Sequence, residues 1–281
     1  MAHDGLEDLR HPPDLPEDTR GILHPRDMLR RVTFERWQVD DLGGLLDHAW
    51  CVQWGSSGVQ PVLPFPAVNI SLGGGSRQAP EEVRAYVSGV FTSVDERVLR
   101  GSSRNVAVRS AIGGFGAWVK DVRALAGADH ELTDVLGVEV DAPAWHDKPA
   151  PETAQLLVSV LAAALDQSPA TRVAEAREVA SWVRVVEGDV SLRGVERWAA
   201  AVGVTPRTLQ RAFARCAGVS PMWVVRRFRL LEAIERARMG EGIAWAQVAA
   251  ELGYADQAHL TRDVTATIGL SPAAYAARQR G

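Results

Sequence analysis

The sequence predicts an α+β chain, an N-terminal antiparallel β barrel followed by an all-α domain in which one helix pair occurs twice. Three observations predict it. Short, glycine-punctuated apolar runs give way to helical periodicity near residue 141. The charge changes sign between the two halves. A motif of the second half recurs at an offset of 50 to 51 residues.

At 281 residues the chain has room for two domains. Apolar content of 46% against 23% charged residues excludes a disordered or fibrous chain. The net charge of −4 conceals an asymmetry: residues 1–169 hold 15 Lys and Arg against 24 Asp and Glu, whereas residues 170–281 hold 16 arginines, no lysine, and 11 acids. An acidic domain joined to a basic one is the expectation, and the basic one suits a polyanionic partner. No run approaches the ~18 apolar residues of a membrane span. The start, Met1-Ala2-His3-Asp4-Gly5-Leu6-Glu7-Asp8, is acidic and lacks a signal-peptide pattern, so a cytoplasmic location is expected. Cys51 and Cys216 lie far apart, which excludes a disulfide framework and a cysteine-rich zinc site.

Residues 1–30 mix acids with prolines (His11-Pro12-Pro13-Asp14) and read as a poorly ordered arm. Residues 31–140 form the β-rich domain, with strands expected around His48-Ala49-Trp50-Cys51-Val52-Gln53-Trp54, Val68-Asn69-Ile70-Ser71-Leu72 and Arg84-Ala85-Tyr86-Val87-Ser88-Gly89-Val90-Phe91. Gly73-Gly74-Gly75-Ser76 lacks the lysine of a phosphate loop and reads as a hairpin turn. Residues 141–169 are a proline-rich connection and a helix, with Leu156, Leu157, Val160, Leu161 and Ala164 at helical spacing. That stripe suits dimerisation, packing on the barrel, or packing on the last domain. A helix over 171–186 follows, with Val173, Ala176, Val179, Ala180 and Val183 on one face.

The repeat lies in residues 170–281. One copy runs Trp198-Ala199-Ala200-Ala201-Val202-Gly203-Val204 and continues through Leu209, Arg211, Gly218, Ser220 and Pro221. The other runs Val248-Ala249-Ala250-Glu251-Leu252-Gly253-Tyr254 and continues through Leu260, Arg262, Gly269, Ser271 and Pro272. Ala199 and Ala249 let two helices cross closely, and Gly203 and Gly253 turn the chain through a left-handed backbone. Thr205-Pro206 and Asp256 offer N-caps for the second helices. Leu209 and Leu260 would pin those helices onto the first. This is the helix-turn-helix pattern, present twice. A tandem array of helical hairpins without a DNA role is the alternative.

On these residues the segment from about 171 to 281 resembles the DNA-binding domain of AraC-type regulators. Two helix-turn-helix units in that family are joined by a long helix, matched here by Trp223-Val224-Val225-Arg226-Arg227-Phe228-Arg229-Leu230-Leu231-Glu232-Ala233. The resemblance implies DNA contacts at Arg207, Gln210 and Arg211 on the first recognition helix, and at Gln257, Ala258, Thr261 and Arg262 on the second. Arginine can bracket guanine and glutamine adenine, while the methyls of Ala258 and Thr261 suit thymine. Arg211 and Arg262 could instead serve structural ion pairs. The second head departs from the pattern: Val264 stands where an aromatic is usual, and Thr265-Ala266-Thr267 replaces a basic stretch. It is expected to grip DNA less strongly than the first.

The β-rich half resembles the cupin-like sensor domain fused ahead of some AraC-type DNA-binding regions, through Trp50-Cys51-Val52-Gln53-Trp54, Val62-Leu63-Pro64-Phe65-Pro66-Ala67-Val68-Asn69 and Gly113-Gly114-Phe115. Ala111-Ile112 replace a more usual arginine-proline pair. Of its tryptophans, Trp37, Trp50, Trp54 and Trp118 are candidates to line an effector pocket. Its histidines are scattered singly, so no metal is expected, and no cofactor motif is found. No reactive constellation marks an enzyme, and an adaptive-response repair protein would need a cysteine cluster where Cys51 stands alone. The reading is a sequence-specific, effector-responsive transcription regulator. The alternative is an enzyme or ligand-binding protein whose helical domain serves only interaction. Expected partners are double-stranded DNA, a small-molecule effector, RNA polymerase where the protein activates, and a second copy of the chain; no membrane is expected.

Overall fold

The computed structural model describes residues 22–280 except 24, 190, 191, 193 and 240–242. Residues 1–21 of the expected arm lie outside the described residues. Its last stretch carries a short helix, α1 (Pro25–Leu29), and Leu23 and Met28 are buried.

The strands are β1 (Val32–Trp37), β2 (Leu46–Trp54), β3 (Gly58–Val62), β4 (Asn69–Gly73), β5 (Arg84–Ser88), β6 (Asp95–Leu99), β7 (Ser103–Ser110) and β8 (Asp129–Glu131). Six of them form one antiparallel sheet in the order β1-β2-β7-β4-β5-β8, and β3 pairs with β6 in a separate ribbon. The sheet does not close on itself, since among the described residues β1 and β8 do not pair, and with the ribbon it is consistent with the expected cupin-like barrel. Residues 74–83 link β4 to β5, a longer excursion than the expected tight turn. Gly73 has φ 139°, and a Cβ there would lie 2.1 Å from the Arg104 carbonyl oxygen. The strand expected to run to Phe91 stops at Ser88, since Gly89 bonds sideways to the Ala128 carbonyl (3.0 Å).

Alternation divides the sheet cleanly. In register, Ala49, Val108, Ile70 and Val87 form one row, and Cys51, Val106, Leu72 and Ala85 the next. All eight are buried in the main core. The opposite face carries the rows His48, Arg109, Asn69, Ser88 and Trp50, Ala107, Ser71, Tyr86. One face is thus apolar and covered, and the other is largely polar.

Two 3₁₀ turns, Gly114–Ala117 and Val122–Leu125, precede β8. The short helices α2 (Leu132–Leu136) and α3 (Ala142–His146) lead into α4 (Ala150–Asp166) and α5 (Ala170–Gly188). Helix α4 lies on β7, burying Ala154, Leu157, Val158 and Leu161. Leu156 and Val160, expected on the apolar stripe, are only half-buried. The buried part of the stripe is taken up inside the chain, against β7. The Trp118 indole N–H donates to the Leu161 carbonyl (2.9 Å) and locks α4 to the first 3₁₀ turn. Trp118 is therefore a packing residue.

The C-terminal helices are α6 (Val195–Ala201), α7 (Pro206–Cys216), α8 (Pro221–Met239), α9 (Trp245–Glu251), α10 (Gln257–Ile268) and α11 (Pro272–Arg280). One hydrophobic cluster runs without a break from the sheet through α4 and α5 into α6 and α7, and ends on Val224 and Val225. A second gathers the later half of α8 with α9, α10 and α11, and also takes in Leu23 and Leu63. The join between sheet and α7 is close: a Cβ on Gly116 would lie 2.8 Å from the Cα and Cβ of Cys216. Gly116→Val is accordingly expected to destabilise the protein by ~1–3 kcal/mol through overpacking, read as a lower denaturant midpoint. A midpoint equal to the parent's would show that the two layers are not held in contact.

Candidate nucleic-acid interface

Each helix-turn-helix is built as its residues dictate. Ala199 and Ala249 are fully buried where the helices cross, and Gly203 and Gly253 have φ 73° and 72°. The Thr205 hydroxyl accepts from the Thr208 amide at 3.1 Å and caps α7, with Pro206 opening the helix. The Asp256 carboxylate accepts from the His259 amide at 2.7 Å and caps α10. The added residue falls in the turn, which spans 202–205 in the first unit and 252–256 in the second. Leu209 and Leu260 are both completely buried. In the first unit Trp198 meets Phe213 edge-on, with ring centroids 4.9 Å apart, and its indole N–H donates to the Trp182 carbonyl of α5 (2.9 Å).

The polar faces of the two second helices are open. Arg207, Gln210 and Arg211 of α7 are exposed, as are Gln257, Ala258 and Arg262 of α10, while Thr261 is half-buried. Arg211 and Arg262 form no ion pair with described residues, so the structural alternative for them finds no carboxylate. The arginine that does pair is Arg215, held by Glu175 of α5. Thr208 and His259 are also exposed on these helices and were not singled out by the motif. The edge-on contact of His259 with Tyr254 (5.2 Å) has no sequence signature. Helix α8 joins the two units with 19 residues, a rod of about 28 Å at 1.5 Å per residue.

The polar face of the sheet bounds a cavity of about 630 Å³, closed by the β3–β6 ribbon and by α5 and α8. Trp50 and Trp54 line it; Trp37 and Trp118 do not. Both lining indoles have their N–H occupied, Trp50 by Asn69 Oδ1 and Trp54 by the Arg100 carbonyl, each at 3.1 Å. They therefore offer the cavity apolar rings rather than donors. Asn105 donates to the hydroxyl of Tyr86 (2.6 Å) and to the Gly74 carbonyl (3.0 Å). Burial lowers the pKa of His48, with its Asp47 neighbour acting against that shift. For Asp47 burial raises the pKa, but hydrogen bonds from His48 and Arg109 outweigh it and hold the carboxyl well below its usual range. Among the described residues no group of three or more His, Cys, Asp or Glu is placed to hold a metal. No helix there is long and apolar enough to cross a membrane.

Two capped helix pairs with open polar second helices, joined by one long helix, define a double helix-turn-helix DNA-binding module. A family model described as "Helix-turn-helix domain" matches residues 198–278. Residues 198–278 of the chain therefore form a helix-turn-helix domain. No curated protein matches the sequence. Solved structures similar to the chain include ToxT from Vibrio cholerae O395, at 9% identity and TM-score 0.40, covering 90% of this chain and 99% of that one. Another ToxT crystal form from Vibrio cholerae gives 9% and 0.42, covering 89% and 100%. Unsaturated fatty acid bound ToxT from strain SCE256 gives 11% and 0.36, covering 87% and 94%. The domain assignment rests on the helix pairs and the family model.

Proposed function

We propose that the protein reads two successive major grooves of one DNA site, with α7 in the first and α10 in the second, and that a small molecule in the sheet cavity modulates this reading. The observation that carries the proposal is the pair of open polar helix faces on the two ends of α8. The length of α8 is close to the ~34 Å that separates successive grooves on one side of B-DNA. Arg207, Gln210 and Arg211 contact bases and phosphates from α7, and Gln257, Ala258, Thr261 and Arg262 from α10. Residues 31–140 serve as the regulatory domain, 141–169 as the connection, and 170–281 as the DNA-binding domain. The protein acts in the cytoplasm and not as an enzyme. Where it activates, it meets RNA polymerase on the promoter.

Selection of the purified chain against a random duplex pool, at two salt concentrations, tests this. The expected result is a motif of two blocks about ten base pairs apart, bound less tightly as salt rises because arginine–phosphate contacts release counterions. A motif confined to a single half-turn would overturn two-headed reading. Salt-sensitive binding with no motif would reduce the protein to a general DNA binder.

A further inference from the structure

The β3–β6 ribbon stands apart from both halves of the molecule. Among the described residues it pairs with no strand of the six-stranded sheet, and none of its side chains enters the main core. Its two strands end together, with Val62, the last residue of β3, opposite Asp95, the first of β6. The next residue on each side, Leu63 and Val94, therefore lies at the same end of the ribbon, its base. Both belong to the interior of the second reading head. Leu63 is buried within that hydrophobic cluster at 4% exposure, and Val94 packs against it.

Next to the base the ribbon is clasped to the sheet by charge. Arg97 of β6 forks onto Asp129 of β8 through both terminal nitrogens (2.6 and 3.1 Å), and its Nε reaches Asp95 (2.6 Å). Asp95 also meets Arg77, whose amide donates to Asp129 (2.8 Å) and whose guanidinium lies 3.6 Å over the ring of Phe91. The carboxylates of Asp129 and Asp95 are 1% and 8% exposed. Toward the tip, Leu99 joins a small cluster with Trp54 of β2. A buried network of this kind holds only while every member is paired, because losing one strands the charges of the others. The clasp is thus made or broken as a unit, beside a base that is seated in the second head.

We propose that the ribbon is a coupling arm between the sheet and the second reading head: the clasp of Arg97 and Asp129 fixes the ribbon's base, and the base fixes where α10 stands relative to α7. Asp129 and Leu63 are then positioning residues for DNA reading, acting through the second head without touching DNA. The first head needs no such arm, because its interior is continuous with the sheet. The second head has a cluster of its own and takes its hold on the sensor half from outside. Fixing α10 in advance favours one separation between the two blocks of a DNA site, since one arrangement of the heads matches both grooves at once. The inference rests on the two-headed reading and names what sets its spacing.

Two measurements on the full chain test this. In hydrogen exchange without DNA, Asp129→Asn is expected to speed exchange about tenfold or more in β3, β6, α9 and α10, leaving α7, β2 and β7 within about twofold of the parent. Leu63→Ala, made at the other end of the arm, is expected to speed exchange of the Arg77 amide, the one that donates to Asp129. Exchange that Asp129→Asn leaves unchanged, or quickens in the ribbon alone, overturns the proposal. So does equal acceleration in β2 and β7, or a Leu63→Ala variant with the parent's rate at Arg77. In the second measurement one base pair is added or removed between the two blocks of the selected DNA site. The parent is expected to lose about tenfold or more in affinity and Asp129→Asn less than threefold, with binding to the first block alone unchanged, a pattern that general loss of stability does not produce. A parent indifferent to the spacing, or an Asp129→Asn variant that keeps the parent's discrimination, sinks the positioning role. If selection returns no two-block site, the two-headed reading fails by itself, and the exchange experiment still decides the coupling.

Discussion

Replacing Arg207 and Arg211 together by alanine is expected to weaken binding to the selected DNA site by about two orders of magnitude or more. Each bidentate arginine contact to guanine discriminates by ~1–3 kcal/mol, and the two side chains lie one turn apart on α7 with no protein partner to lose. The fold is expected to survive, because both residues are exposed and the cap, Leu209 and Phe213 are untouched. Competition binding against scrambled DNA separates two origins of the loss. If the arginines read bases, specific affinity falls and binding to scrambled DNA changes little. If they hold phosphates, affinity falls for all sequences and the salt dependence flattens by about one counterion per arginine. Arg262→Ala is expected to cost less than Arg211→Ala, since Thr265-Ala266-Thr267 gives α10 no basic support. The opposite ranking would overturn the idea of a weaker second head.

The largest expected loss of stability comes from Trp198→Ala, about 3–5 kcal/mol. Trp198 is completely buried, meets Phe213 edge-on and donates to the Trp182 carbonyl. Truncation leaves a cavity at the centre of the first helix-turn-helix and strands a buried carbonyl on α5. For a chain of this size the melting temperature should fall by roughly ten degrees. DNA affinity measured well below the melting temperature should fall less than in the Arg207 and Arg211 double variant. Trp198→Phe keeps most of the volume and loses the hydrogen bond, so it should fall between the parent and Trp198→Ala. A melting temperature unchanged in Trp198→Ala would mean that the first head is not built around this side chain.

How legible the molecule was in its sequence depended on whether the determining contacts were local. The caps at Thr205 and Asp256 act within three residues, and the glycine turns act on their own φ angles, so both could be read directly. The strands at β2 and β4 were readable because alternation is local. The strand order was not, because pairing brings β7 between β2 and β4 across long stretches of chain, and nothing in either strand names its neighbour. The apolar face of α4 was visible, but its partner was not: Leu157 and Leu161 would look the same against a second copy as they do against β7. The tryptophans separated for a similar reason, since Trp118 packs on α4 while Trp50 and Trp54 reach the cavity. Arg227, buried on α8, left a trace that could have been used. It shares a helical face with Val224 and Leu231, three and four residues away, where a surface arginine would not fall.

The unbroken cluster from the sheet to Phe213 bears on modularity. Regulators of this shape invite the picture of a sensor and a reader exchanged freely at the linker. Here the cut at the proline-rich connection would not separate two finished parts, because the first head shares its interior with the half it would leave. The second head, with a cluster of its own along α8 to α11, is the more nearly self-contained piece. Shuffling of such domains, in the laboratory or over generations, would therefore be constrained by a seam that runs between the two reading heads rather than ahead of both.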